Sequence, residues 1–334
     1  MKKIVLVSTI LVLLTSFLTA CTSLQSEEVY RETRFLFDTE VFVEAYGVGA
    51  EKAVKQAMEI MKEIDLPTNF YSADSEITKL NEAAGKYPVP LSTLVFELLQ
   101  RSLQISELTH GYFDPTIGPL VQLWQNAKEE NLLPSAEEVE DRLQLVDYRN
   151  LLLDSSNQTA FLPKEGMSID LGAVTKGFAV EKGMEILKKA GITSAIVRAG
   201  GNVYTIGNKT DGTLWKVGIR DPHQPENTVG YIVAENKVVD TAANYEQSMV
   251  VDGINIGHII NPHTGFPAEE IASCTIISNN PTLADALSTA VFILGKEKGL
   301  ALIQGIPDTE GIMIEKNGSQ HMTREFKGMF EVEK

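Results

Sequence analysis

The sequence predicts an α+β protein with a helix-rich N-terminal part and a strand-rich C-terminal part. Three observations carry that reading. Residues 50–64 place Val54, Ala57, Met58, Met61 and Ile64 on one helical face, and a longer amphipathic helix fits 91–109. From about residue 150 the chain turns to short apolar runs split by Gly, Asn and Asp. The regular strand–helix alternation of a doubly wound sheet is missing, and Gly200-Gly201 is not part of a Gly-x-Gly-x-x-Gly.

In chain order, Lys2 and Lys3 precede an uncharged apolar run from Ile4 to Leu18, and Thr19-Ala20-Cys21 follows. A basic start, an apolar stretch and a small residue before the cut define a secretory signal over residues 1–20. The run is short for a spanning helix. Cys21 directly after Ala20 resembles a bacterial lipobox, so Cys21 is the expected lipidation site. The expected location is the extracytoplasmic face of the cell membrane, periplasmic or cell-surface. Residues 21–33 are polar and read as a tether, leaving 34–330 as one unit without linker or repeat. The stretch 35–46 alternates aromatic and β-branched residues with polar ones and reads as a strand. Ser135 and Glu138 have capping-box spacing. Further strands are expected at 150–153, 195–199, 214–219, 230–234, 273–278 and 311–315. Helices are expected at 173–190, closed by Gly191, and at 282–294, opened after Pro281 and closed by Gly295.

The chain has 334 residues, with 45 acids against 29 Lys and Arg, for a net charge of −16. The signal segment carries two lysines and no acid, so its removal leaves −18. No basic stripe is available to neutralise a run of phosphates, which excludes a nucleic-acid partner. A polyanionic substrate would need local help from amides, lysines or a divalent cation. Cys21 and Cys274 are the only cysteines, too few for a disulfide framework or a zinc cluster.

Four segments carry candidate chemistry. In Ser168-Ile-Asp170-Leu-Gly172-Ala173-Val-Thr175-Lys176-Gly177 a strand ends in an acid, turns on Gly172 and opens a helix with Lys176 in its first turn, a possible phosphate cradle. Taken alone it reads first as an Asp cap with a surface Lys. Arg198-Ala-Gly200-Gly201-Asn202 permits close approach of a ligand, or is a hairpin turn. His258-Ile259-Ile-Asn261-Pro262-His263-Thr264-Gly265 has its histidines five apart, which disfavours a zinc pair and leaves His258 as a base, a donor or a structural histidine. Asp285 and Thr289, four apart on the 282–294 helix, share one face and offer the hard oxygens that Mg²⁺ accepts. They also fit a dipole-favoured Asp beside a back-bonded Thr.

Taken in order, these segments closely resemble the ApbE family of FAD:protein FMN transferases. The likeness extends through Tyr71-Ser-Ala-Asp-Ser-Glu-Ile-Thr-Lys-Leu-Asn81, Gly111-Tyr112-Phe113-Asp114-Pro-Thr-Ile-Gly-Pro-Leu120, and Trp215 with Val217-Gly-Ile219 and Asp221-Pro222, covering roughly residues 34–328. It departs at Phe37-Asp38-Thr39, where the family often has Met-Gly-Thr; Phe37 is the candidate contact there. The resemblance implies a single T-fold-like unit with the FAD site between its two parts. FAD would be the substrate and Mg²⁺ the cofactor. FMN would pass to a Thr or Ser hydroxyl of an acceptor protein, with release of AMP. Carried over, Asp285, Thr289, the Ala173 carbonyl and, less directly, Ser288 would hold Mg²⁺. Phe37, Tyr71, Tyr112, Phe113, Asp114, Asp170, Lys176, Gly200, Gly201, His258 and Ile259 would line the FAD site. His258 and Asp285 would be catalytic, His258 as general base, with metal polarisation of the acceptor oxygen as the competing account. Ala290 stands where a self-acceptor Thr would be, so self-flavinylation is not expected. Two alternatives use the same site: an FAD pyrophosphatase yielding FMN and AMP, and a non-enzymatic flavin-binding lipoprotein.

Overall fold

The computed structural model describes residues 28–244 and 248–332. The signal segment, Cys21 and the first part of the tether lie outside the described residues. The first element, β1 (Val29–Leu36), pairs antiparallel with β2 (Thr39–Tyr46), from Val29↔Tyr46 to Leu36↔Thr39. Two expectations change here. Residues 29–33, read as tether, are strand. They form the outer edge of a sheet, where polar side chains and charge are favoured over apolar ones. Arg34, for example, pairs with Glu32 and Glu59 at 2.7 Å. The stretch 35–46, read as one strand, is a hairpin, because Phe37 and Asp38 both take positive φ, 53° and 55°. Bulky residues seldom adopt that conformation, so the turn has no sequence signature. The Asp65 carboxylate holds it, accepting the Phe37 N–H at 3.0 Å.

Next come α1 (Ala50–Thr68) and α2 (Glu76–Glu82), β3 (Val89–Pro90), then α3 (Thr93–Leu108), α4 (Gly118–Glu130) and α5 (Ala136–Leu143). The apolar face expected of α1 is the buried one: Val54, Ala57, Met58, Met61 and Ile64 are all at most 1% exposed. The Ser135–Glu138 capping box at the start of α5 is present in full. The strands β4 (Leu152–Asp154) and β5 (Thr159–Phe161) form a small sheet with β3. The expected strand ending in Asp170 is absent. Ser168 makes only an isolated bridge with Ile117, and the Asp170 N–H donates to the Pro115 carbonyl at 2.9 Å.

After α6 (Thr175–Lys189) the chain is largely strand: β6 (Ser194–Ala199), β7 (Asn202–Ile206), β8 (Trp215–Arg220), β9 (Thr228–Ala234), β10 (Val238–Ala243), β11 (Ser248–Val251), β12 (Ile254–Gly257) and β13 (Ser273–Ser278). The helix α7 (Pro281–Gln304), β14 (Glu310–Ile314), β15 (Gln320–Met322) and β16 (Phe330–Val332) complete the order. Gly295 interrupts α7 as expected, with φ 69° and ψ −171°, but the helix resumes beyond it.

The central sheet has eight strands in the order β1-β2-β6-β7-β10-β13-β14-β15, each pair antiparallel. The N-terminal hairpin is thus recruited into a sheet otherwise built from the second part of the chain. Helices α1, α6 and α7 cover one face around Val43, Phe178, Val197, Cys274 and Phe292. On the other face, Val239, Ile277, Ile312 and Ile314 pack against the three-stranded sheet β16-β9-β8. A third cluster joins α4 and α5 to the β11–β12 hairpin through Leu120, Trp124, Val139, Val251 and Ile256.

A close helix crossing brings Gly177 of α6 against the start of α7. A Cβ at Gly177 would stand 2.3 Å from the Pro281 carbonyl oxygen and 2.7 Å from the Asp285 Cβ. Neither neighbour is the end of a flexible side chain, so the helices must separate to admit it. Gly177→Ala is therefore expected to lose about 1–3 kcal/mol of stability despite the higher helix propensity of Ala. Denaturant unfolding measures this; an unchanged midpoint would show that the crossing relaxes freely.

Candidate active site

A cavity of about 1020 Å³ opens between the main core, which lines it with Phe113, Leu171, Ile259 and Ile293, and the third cluster, which lines it with Ile117, Trp124 and Ile260. Phe37, Tyr71, Tyr112, Phe113, Asp114, Asp170, Ala173, Lys176, Gly200, Gly201, His258, Ile259, Asp285, Ser288 and Thr289 all line it. Seven separate stretches of chain deliver them, and the packing described above brings those stretches together. Cys21 lies outside the described residues.

One wall is built around Asp285, in the first turns of α7. Its carboxylate is 4% exposed. Its Oδ2 accepts the Gly177 N–H at 2.8 Å, and its Oδ1 accepts the Asn202 amide at 3.2 Å. Lys176 Nζ stands 3.5 Å from the same Oδ1 and donates to the Gly172 carbonyl at 3.0 Å. Ser288 donates its hydroxyl back to the Asp285 carbonyl at 2.9 Å, leaving oxygen lone pairs as its remaining capacity. Thr289, one position further, is half-buried at the cavity.

The phosphate cradle expected at the start of α6 is not built as predicted. The Gly172 N–H donates to Asp170 Oδ1, those of Val174 and Thr175 donate to the Leu171 carbonyl, and that of Gly177 donates to Asp285. The helix start spends these donors on its own turn and on α7. Asp170 is recessed in the cavity, and that desolvation raises its carboxyl above the ordinary range, against the Gly172 amide and Lys176, which lower it. Asn81 fixes this loop from α2, clamping the Ile169 backbone through Nδ2–O at 3.0 Å and N–Oδ1 at 2.6 Å.

The opposite wall is aromatic. Tyr112 lies against His263, ring centroids 4.3 Å apart, which ties the 111–114 turn to the loop after His258. That loop is held by the Trp124 indole donating to the Gly265 carbonyl at 2.8 Å. Gly265, at φ 76°, has no room for a Cβ, which would meet Val139 Cγ1 at 2.5 Å. Asp114 faces the cavity, but its carboxylate is taken up internally. It accepts the N–H and hydroxyl of Thr116 at 2.8 and 2.6 Å and the Tyr148 N–H at 2.9 Å. Burial raises its pKa against those bonds. Asp114 therefore shapes the turn that presents Tyr112, a different role from direct ligand contact.

Several cavity residues escaped the sequence reading. Lys128, Arg198 and Arg220 add cations, and Asp240 on β10 adds an acid only 2% exposed. Lys128, Arg220 and Asp240 lie in a helix and strands with no motif of their own, and Arg198 opens the Gly200-Gly201 segment without being singled out in it. Asn202, behind the wall on Asp285, was visible only as the residue after Gly200-Gly201.

The chain belongs to the ApbE family, whose pattern it matches over residues 37–313. A FAD:protein FMN transferase of Treponema pallidum (strain Nichols) is 32% identical over 277 residues, covering 78% of this chain and 76% of that protein. One of Klebsiella pneumoniae (strain 342) is 29% identical over 296 residues, covering 88% and 92%. Among solved structures, the ApbE protein of Thermotoga maritima superposes with a TM-score of 0.83 at 31% identity, covering 91% of this chain and all of that one. The Vibrio cholerae flavin transferase ApbE shares the fold, with a TM-score of 0.80 at 23% identity over 91% of this chain and 99% of that one.

Tyr71 forms the rim. Its hydroxyl donates to Gln125 Oε1 at 2.7 Å. Desolvation in the cavity mouth, reinforced by Asp170 and Asp38, pushes its phenol up to about 12 from an ordinary value of 10.0. The protonated phenol is thus favoured in the folded chain. The stability it contributes is present below pH 10 and lost as pH rises towards 12. In a phenolate absorbance titration, the difference between wild type and Tyr71→Phe should have its midpoint at about 12. A midpoint near 10 would place Tyr71 in open solvent.

Proposed function

We propose that this chain transfers FMN from FAD to a Thr or Ser hydroxyl of an acceptor protein, releasing AMP in a Mg²⁺-dependent reaction. The observation that carries the proposal is a single cavity with hard oxygens and a lysine on one wall and aromatics with a histidine on the other, in a chain of the ApbE family. The cavity is large enough for a dinucleotide.

The donor set fits Mg²⁺. The Asp285 carboxylate, the Thr289 and Ser288 hydroxyls and the Ala173 carbonyl are all oxygen donors, and Mg²⁺ completes its shell with water and substrate phosphate. Asp285 Oδ2 accepts one backbone N–H, and Oδ1 accepts the Asn202 amide with Lys176 at 3.5 Å, so lone pairs remain for an ion once the flexible lysine turns away. Bound there, the ion supplies charge neutralisation at a pyrophosphate. In the reaction, the acceptor hydroxyl oxygen bonds to the FMN-side phosphorus, and the phosphorus–oxygen bond to the AMP phosphate breaks. AMP leaves with that oxygen. His258, lining the cavity, takes the hydroxyl proton. Lys176, already beside Asp285, turns its flexible ammonium to the phosphates. Phe37, Tyr71 and Tyr112 supply apolar and stacking surface for the rings. Membrane attachment through acylated Cys21 would place this chemistry outside the cytoplasm.

The experiment incubates the mature chain with FAD, Mg²⁺ and a Thr-bearing acceptor, then measures AMP release and acceptor mass. Transfer predicts both AMP and an FMN-sized mass gain; AMP alone indicates hydrolysis, and neither indicates flavin binding only. Asp285→Ala removes the sole formal charge among the Mg²⁺ donors and should abolish most AMP release. Asp285→Asn should be intermediate in Mg²⁺ binding and still poor in turnover. Thr289→Val removes a neutral donor at near-constant shape, so its loss should be milder and partly rescued by excess Mg²⁺. Wild-type AMP release by Asp285→Ala without added metal would overturn the site assignment.

Attachment has its own test. Cys21→Ala should move the protein from the membrane fraction to the soluble fraction with AMP release per molecule unchanged. Retention of the variant in the membrane would point to a spanning anchor.

A further inference from the structure

Asn202 has no role in the reading above; it stands behind the cavity wall, held against Asp285. It is 1% exposed, directly behind Asp285, and closes the two-residue Gly200-Gly201 turn by pairing with Ala199. Gly200 takes a positive φ of 58°, which lets β7 start at once after β6 and carries Asn202 under α7. The Asn202 Nδ2 donates to Asp285 Oδ1 at 3.2 Å, while its own Oδ1 is buried without a hydrogen-bond partner.

That imbalance fixes the orientation. Turning the amide over would set its oxygen against the Asp285 carboxylate, with no donor left between them. An unsatisfied buried carbonyl costs stability, and natural proteins keep few of them. Here the cost secures a donor aimed at Asp285. With the Gly177 N–H on Oδ2, each carboxylate oxygen has one fixed donor from a different element, so the group cannot rotate about its own axis. The remaining lone pairs then point in fixed directions.

We propose that Asn202 is the positioning residue of the cation site, holding the Asp285 carboxylate in the orientation that receives Mg²⁺. The inference rests on the Mg²⁺ reading of Asp285 above. It predicts that Asn202 acts on metal affinity through Asp285 without touching FAD. Partners that orient a metal ligand typically change affinity by about 10–100-fold when removed.

The test uses the full mature chain with Asn202→Ala and the near-isosteric Asn202→Leu, which preserves bulk but removes the donor. Mg²⁺ binding is measured by calorimetry in the absence of FAD, and AMP release is measured against Mg²⁺ concentration. Both variants should bind Mg²⁺ at least about tenfold more weakly than wild type. At saturating Mg²⁺, kcat should recover most of its value and the KM for FAD should stay within about twofold of wild type. If both variants bind Mg²⁺ like wild type and lose only thermal stability, Asn202 is a turn residue and the inference fails while the Mg²⁺ site stands. If wild type itself does not bind Mg²⁺, the site reading fails and the inference falls with it.

Discussion

Asp285 Oδ2 accepts the Gly177 N–H at 2.8 Å, and much of the site's architecture follows from that contact. It crosses from α7 to α6 where no side chain fits between the helices, so the position opposite Asp285 must be glycine. A carboxylate this deeply buried is costly unless it is hydrogen-bonded and paired. Three segments satisfy it together: the α6 backbone, Asn202 behind the Gly200-Gly201 turn, and Lys176. The same contact explains why two helices and a strand hairpin, distant in sequence, share one cavity wall. Removing the acid leaves three donors aimed at nothing, and moving any donor tilts the acid.

Most of the fold was legible where local physics decides it. The apolar stripe of α1, the Ser135–Glu138 box and the Gly191 and Gly295 breaks fall where periodicity and capping put them. What escaped was set by tertiary context. Phe37 and Asp38 adopt positive φ only because Asp65 and the paired strands impose it. Residues 29–33 look like linker because an outer edge strand rewards polar side chains.

The site shows the same division. Asp285, Thr289 and Lys176 line one cavity, a grouping that residue chemistry and spacing leave ambiguous and that only the ordered resemblance joins. Asp114 and Asp170 illustrate the limit. Their sequence context marks them as important but does not say whether the carboxylate faces a ligand or the backbone. Asp114 faces Thr116 and Tyr148, and so acts by holding Tyr112 in place. Asn202 and Asp240 sit on strands where burial alone gives them meaning.

The use of the α6 start has an electrostatic consequence. A helix N-terminus with open amides can hold a phosphate without any cation. Here Gly172, Val174, Thr175 and Gly177 direct their N–H groups to Asp170, Leu171 and Asp285, so much of that capacity is already committed. The chain carries −16 overall, and its cavity is lined by Asp38, Glu40, Asp65, Asp114, Asp170, Asp240 and Asp285. A pyrophosphate entering this space meets repulsion that Lys128, Lys176, Arg198 and Arg220 must offset. Lys176 is already paired with Asp285 and cannot serve both anions at full strength. On the reading proposed above, a divalent cation at Asp285 would resolve the conflict, satisfying the carboxylate, freeing the lysine and bringing positive charge to the phosphates. The acid that makes the site unfavourable for a bare dinucleotide is thus the group through which, on that reading, a metal would make it favourable.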